Sequence, residues 1–195
     1  MVAESWKAYY RLTQDLPPAP RLRKFLDTLP QQARVLDFGC GTGRFALAFL
    51  RDRPDLTVDL LDMHLEAALP ELEGHPGIGE RWQQDFAQWQ PPSARYDGIW
   101  ANASLFFLSR QHLPATLSAL HTALKPGGML FFTHVEEGPE AQAMRFTGMQ
   151  EAALRALLAE SGFQVTDFAR RADMKYGKEG LLVPTFIFYA RKICV

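Results

Sequence analysis

The chain has 195 residues, 47% hydrophobic and 22% charged, which suits one α/β core, and no shift in composition marks a second. A formal net charge of −1 and a pI near 6.5 give no electrostatic footprint for nucleic acid or an anionic membrane surface. Apolar runs are strand-length and broken by polar residues, which argues against a transmembrane helix, and the two cysteines, Cys40 and Cys194, have neither metal-ligand spacing nor a disulfide framework.

Residues 4–14 read as a short helix carrying Trp6, Tyr9 and Tyr10. The opening stretch from Met1 to Trp6 shows neither the basic nor the apolar region of a secretory signal, so the cytoplasm is the expected location. Pro17, Pro18 and Pro20 break the helix. A second one is expected over residues 21–29, with Leu22, Phe25, Leu26 and Leu29 at helical spacing. The organising stretch follows: Val35-Leu36-Asp37-Phe38 as a buried strand, Gly39-Cys40-Gly41-Thr42-Gly43 as a turn, and a helix from Arg44. Glycines at alternate positions permit positive φ and let a ligand approach the backbone. The next helix aims free N–H groups at whatever lies over the turn. In an open parallel sheet the ligand crevice lies beyond the carboxyl ends of the strands. A dinucleotide fingerprint needs a third glycine where Arg44 stands, and a P-loop needs a lysine that this turn lacks. An NAD(P)-dependent oxidoreductase is therefore the weaker alternative.

The run D-x-G-x-G-x-G that begins at Asp37 resembles the cofactor loop of class I S-adenosylmethionine (SAM) dependent methyltransferases, which reads L-D-x-G-C-G-T-G. The resemblance implies SAM as cofactor, S-adenosylhomocysteine as product, and contacts from Asp37, Gly39, Cys40 and Gly41. Strands and helices alternate along the chain. The expected fold is α/β: a Rossmann-like, seven-stranded, mostly parallel sheet with helices on both faces and the last strand antiparallel. One domain over residues 1–195 is expected, with residues 1–30 as a helical lid on a core of residues 31–195.

Residues 57–62 read as the second strand, ending in Asp62, 25 positions past Asp37. That is near the spacing at which α/β nucleotide sites place a ribose-binding carboxylate, and one carboxylate accepts well from two vicinal hydroxyls. Met63 follows; the cofactor reading lays it against the adenine face, and by itself a methionine here reads as core. Residues 71–80 read as a loop and residues 80–86 as a third strand ending at Asp85. By resemblance, Asp85 accepts from the adenine 6-amino group and the Phe86 N–H serves the ring nitrogen. Residues 96–105 match the fourth strand, whose exit, Ala101 to Leu105, faces the methyl group in related folds, with Ala101 and Asn102 as the site candidates there. This exit lacks the D/N-P-P-Y/F signature of base-amine methylation, and the chain has no Pro-Cys dipeptide for cytosine C5. Both absences weigh against a nucleic-acid substrate.

A helix is expected over residues 113–125, with Leu113, Leu117, Leu120 and Leu124 on one face, stopped by Lys125-Pro126-Gly127-Gly128. The fifth strand, residues 129–134, ends in His134. A loop over residues 135–146 carries Arg145. A helix over residues 150–161 with Gly162 as C-cap, a strand at 163–168, a solvated basic loop at 170–178 and a strand at 185–191 complete the chain. Tyr10-Arg11-Leu12-Thr13, Phe107-Leu108, the K-P-G-G run and Ala190-Arg191-Lys192 are similar to the tellurite-resistance methyltransferases and their small-molecule relatives. That narrower resemblance implies a small, soft acceptor such as tellurite, selenite or a thiol, with neither nucleic acid nor membrane as partner. Methyl transfer from a sulfonium needs no metal and no covalent nucleophile. Tyr10, Asn102, His134 and Arg145 are the candidates to act on the acceptor. A catalytically silent SAM-binding partner subunit would carry the same cofactor motifs, and the sequence leaves the oligomeric state open.

Overall fold

The computed structural model describes residues 20–176 and 180–193. Tyr10 and the expected helix over residues 4–14 lie outside the described residues, as does Cys194. In chain order the elements begin α1 (Pro20–Leu26), β1 (Arg34–Phe38), α2 (Arg44–Asp52), β2 (Thr57–Asp62), β3 (Ile78–Gln83) and β4 (Tyr96–Ala101). They continue with α3 (Leu113–Ala123), β5 (Leu124–Val135), α4 (Pro139–Ala143) and α5 (Glu151–Glu160). The last are β6 (Phe163–Arg171), β7 (Lys175–Tyr176), β8 (Leu181–Leu182) and β9 (Thr185–Lys192).

Seven strands form one sheet in the order β3-β2-β1-β4-β5-β9-β6. Its first five strands are parallel, and β9 runs antiparallel to both β5 and β6. The expected Rossmann-like sheet is present, with the closing strand inserted between β5 and β6. The strand order reverses between β1 and β4, and that switch point opens the crevice at their carboxyl ends.

Alternation along the strands sorts the core into two layers. Leu36, Phe38, Leu61, Ile99, Leu130 and Phe132 face α3 and α5. Val35, Val58, Leu60, Trp100 and Phe131 face α1 and α2. The Trp100 and Phe131 rings stack 3.7 Å apart, and Phe25, Phe45 and Phe49 close around the indole at 5.3–5.6 Å. Gly98 makes the approach of α1 possible, because a Cβ there would come within 2.7 Å of both Phe25 and Leu29. The part of the expected lid that is described therefore packs as core.

Three expectations need correction. The third strand begins at Ile78 inside the expected loop and ends at Gln83, before Asp85. It is an edge strand, mostly exposed, so no apolar alternation announces it. The basic stretch expected as a loop is partly strand: β6 runs through Arg171, and Lys175 and Tyr176 pair with β8. Charges protect an exposed edge, which makes an edge strand read like a solvated loop. The loop after β5 contains α4, whose five residues are too short for helical periodicity to register.

At the amino ends of the strands a buried acid, Asp59, and a half-buried one, Asp97, hold the sheet together. The Asp59 carboxylate accepts from Arg34 Nε and Nη2 at 2.9 and 2.6 Å, from the Glu80 N–H at 2.8 Å and from the Tyr96 hydroxyl at 3.0 Å. Asp97 accepts from Lys125 Nζ at 2.8 and 2.9 Å and from the Arg34 N–H at 2.8 Å. The Tyr-Asp start of β4 and the lysine of K-P-G-G thus meet as a structural tie. Trp100 is the largest fully buried side chain. Replacing it with alanine should cost about 3–5 kcal/mol, read as a fall in the denaturation midpoint in urea; a loss below about 1 kcal/mol would contradict this packing.

Candidate active site

Four strand exits converge at the switch point. After β1, Gly39, Gly41 and Gly43 take φ of 76°, 57° and 74°, the left-handed region that a side chain resists. The turn is tied to β2: the N–H groups of Gly39 and Cys40 both donate to Leu61 O, at 2.8 and 3.1 Å. The Gly41 N–H donates to Asp62 Oδ2 at 2.9 Å, and the His64 N–H to Asp62 Oδ1 at 2.9 Å. Each Asp62 oxygen keeps acceptor capacity beyond the single N–H it receives. Met63, next to it, is 48% exposed.

Asp85 caps a one-turn helix over Phe86–Gln88, accepting from the Ala87 N–H at 2.9 Å. The Phe86 ring lies 4.6 Å from Phe38 and reaches the underside of the glycine turn, where a Cβ on Gly39 would meet it at 3.2 Å. At the exit of β4, Ala101 is buried and Asn102 half-buried. Ala103 sits at φ 55° with its N–H donated to Thr133 Oγ1 at 2.8 Å. A left-handed alanine is strained, and such strain gathers at functional sites.

Two buried polar atoms in this crevice have no partner among the described residues, Asp37 Oδ2 and Ser104 Oγ. Sequence reasoning placed Ser104 within the exit Ala101 to Leu105 but gave it no role of its own, since nothing in Ala-Asn-Ala-Ser marks the serine. Burial and the neighbouring Asp62 carboxylate push the Asp37 pKa up to about 8, while Arg44 and the Ala46 N–H pull the other way. The Cys40 thiol is buried and driven up by burial and by the same two acids, so it stays protonated and inert. A left-handed glycine turn at the β1 exit, an acid at the β2 end and two unpartnered polar atoms fit a polar cofactor such as SAM.

The acceptor-side candidates do not converge. His134 is fully buried, its Nδ1 3.0 Å from Val135 O and its ring edge-on to Phe106. Burial pushes its pKa down to about 4, so the imidazole is neutral at working pH. Sealed in this way, His134 is a wall residue here and not a side chain open to a ligand. Arg145 is exposed, at φ 57°, beside Phe146. Among the described residues no helix is long and apolar enough to cross a membrane.

The Asp37 shift has a consequence for stability. Between about pH 4 and pH 8 the folded protein holds a proton that the unfolded chain has released, so stability falls as pH rises through that window. Asparagine mimics the protonated acid. Asp37→Asn should therefore melt above the wild type near pH 9, with the gap closing toward pH 4; thermal melts of the ligand-free protein across that range check it. A gap independent of pH would refute the raised pKa.

A family model described as a methyltransferase domain matches residues 10–167. The chain is 34% identical over 186 residues to the malonyl-[acyl-carrier protein] O-methyltransferase of Halalkalibacterium halodurans, covering 90% of this chain and 66% of that one. It is 32% identical over 149 residues to the ubiquinone biosynthesis O-methyltransferase of Xanthomonas campestris pv. campestris, covering 73% of this chain and 59% of that one. It thus spans less than two thirds of the length of either relative. Haemonchus contortus phosphoethanolamine N-methyltransferase 2, solved with phosphomonomethylethanolamine and S-adenosylhomocysteine, shares the fold at a TM-score of 0.77 and 15% identity, over 98% of this chain and 58% of that one. The narrower likeness to tellurite-resistance enzymes has no counterpart in these relatives. Two of its four strings serve the fold: Lys125 grips Asp97, and Lys192 Nζ donates to the His121 and Leu124 carbonyls at the end of α3, each at 2.8 Å. A domain match running from before α1 into β6, laid on a glycine turn that fits the cofactor, makes this chain a member of the class I SAM-dependent methyltransferase family.

Proposed function

We propose that the chain transfers a methyl group from SAM to an oxygen, carboxylate or hydroxyl, of a small organic acceptor with an apolar or aromatic body. The observation that carries this reading is the wall beyond the exits of β4 and β5. Phe106 meets Phe146, Phe107 and Tyr176 at 4.6, 4.8 and 5.5 Å, and Phe107 remains 41% exposed. Phe106 and Tyr176 are buried behind the face of this wall, and the surface offered to an organic body is the exposed Phe107 with the half-buried Phe146, 5.3 Å apart. A hydrated inorganic oxyanion gains nothing from such a wall. The names of the two relatives, both O-methyltransferases, lean the same way.

In this reading Asp37, Gly39, Cys40 and Gly41 cradle the cofactor, and Asp62 accepts from the ribose hydroxyls. Met63, Asp85 and Phe86 line the adenine, and Ala101 ends β4 beneath the reacting carbon. Bound SAM supplies a methyl carbon activated on a sulfonium. The chain's own contribution is alignment, for which a well-oriented pair gains on the order of 7–11 kcal/mol. An ionised carboxylate acceptor needs no general base, which agrees with a neutral, buried His134. Arg145, exposed beside the aromatic wall, is the side chain we assign to an anionic group of the acceptor.

An acceptor panel read by S-adenosylhomocysteine release tests the reading. Organic carboxylates or phenols should turn over. Turnover confined to tellurite, selenite or thiols would return the assignment to the soft acceptors expected from sequence. SAM binding with no turnover would favour a silent subunit. Arg145→Gly suits the positive φ and removes the charge. For an anionic acceptor it should lower kcat/KM about twofold to fivefold, with SAM affinity unchanged; an unchanged kcat/KM would remove Arg145 from the site.

A further inference from the structure

The two rings on the face of the aromatic wall come from separate segments: Phe107 lies between β4 and α3, and Phe146 between β5 and α5. The ends of the second segment meet, with the Glu137 N–H donating to Met149 O and the Met149 N–H to Val135 O, each at 3.1 Å. A compact surface loop closed in this way takes its position from whatever holds its neck. Two contacts hold it to the first segment. The Thr147 N–H donates to Phe106 O at 2.8 Å. Arg110 donates through Nη2 to the Glu137 carboxylate and to Gly148 O, the latter at 2.7 Å. One guanidinium thus gathers both sides of the neck, reaching 27 and 38 positions along the chain. Gly148 lets the neck close this tightly: a Cβ there would come 2.7 Å from Glu137 Cα and 2.9 Å from Glu136 O, both backbone. Arg110 is 55% exposed and Glu137 40%, and an exposed ion pair adds little to stability. A planar guanidinium with its donors in fixed directions sets geometry instead.

We infer that Arg110 is a positioning residue for the acceptor: with Gly148 it forms a clasp that holds the Phe107 and Phe146 rings in contact and so sets how broad an acceptor body the wall admits. The contact it keeps is edge to face, with centroids 5.3 Å apart and ring planes at 89°. Loosening the clasp parts the rings and opens a slot between them. The inference rests on the acceptor wall proposed above, and its test separates a failure of the clasp from a failure of the wall.

Arg110→Gln removes the charge and the reach, and Gly148→Ala forces the neck apart by a separate route. Hydrogen exchange of the full chain loaded with S-adenosylhomocysteine should show the Thr147 and Met149 amides exchanging about tenfold faster in each variant, as local opening of the loop requires. In Arg110→Gln the melting temperature and the SAM affinity should match the wild type. Kinetics then use the narrowest and the broadest organic acceptors that the panel turns over. Arg110→Gln should raise the acceptor KM about threefold to tenfold, the range of one hydrogen bond, with kcat within about twofold. In both variants kcat/KM should shift in favour of the broader acceptor. Wild-type exchange or an unchanged acceptor KM in Arg110→Gln would overturn the clasp and leave the wall. A lower melting temperature or weaker SAM binding in that variant would also overturn it, since either marks a general structural role. Failure of the wild type to turn over any organic acceptor would remove the wall, and the inference with it.

Discussion

Three glycines in the left-handed region leave the turn after β1 with one internal bond, from the Gly43 N–H to Cys40 O at 2.8 Å, and the neighbouring strand supplies the rest of its restraint. Leu61 O receives two of the turn's N–H groups and Asp62 a third. Because β2 is locked to β1 in parallel register from Arg34 to Phe38, the turn inherits the rigidity of the sheet. A cradle held in this way has taken its ordering cost in folding, so a ligand does not bear it on binding. Asp62 consequently serves the loop before it serves any ligand. An acid with acceptor capacity to spare can do both.

The two ends of the sheet treat buried charge in opposite ways. At the amino ends, Asp59 and Asp97 each meet a cation at hydrogen-bond distance, and their remaining lone pairs take backbone and phenol donors. Those acids are matched, and they tie β1, β2, β4 and β5 together. At the carboxyl ends burial, and after it the nearby Asp62, raises the Asp37 pKa, Asp37 Oδ2 is unpartnered, and Ala103 is strained. An unpartnered buried acid beside a second acid is what a ligand-binding end looks like, and at the amino ends the acids are paired with cations.

The acceptor side is built from parts far apart in the chain. Phe106 follows β4, Phe146 follows α4, and Tyr176 belongs to the β7–β8 ribbon. Their rings come together over Val135, Ala141 and Val183. The same cluster that forms the wall seals His134 from solvent, so an imidazole at a strand end becomes packing.

The sequence by itself determined the fold class, the glycine turn and the acids at the ends of the first two strands. Those features are local: strand periodicity, positive-φ glycines and spacing within one βαβ unit are written in consecutive residues. Edge strands such as β3 and the end of β6 were not legible, because their exposed faces carry the same charges as loops. The K-P-G-G and Ala-Arg-Lys strings were legible, but their work was not; only the folded chain shows Lys125 on Asp97 and Lys192 on the end of α3. Tertiary structure alone decided that Asp62 holds the turn, that His134 is buried and that Ser104 faces Gly39. Each depends on segments that meet only once the sheet has formed, and neither burial nor an unmet hydrogen bond has any signature in the order of the residues.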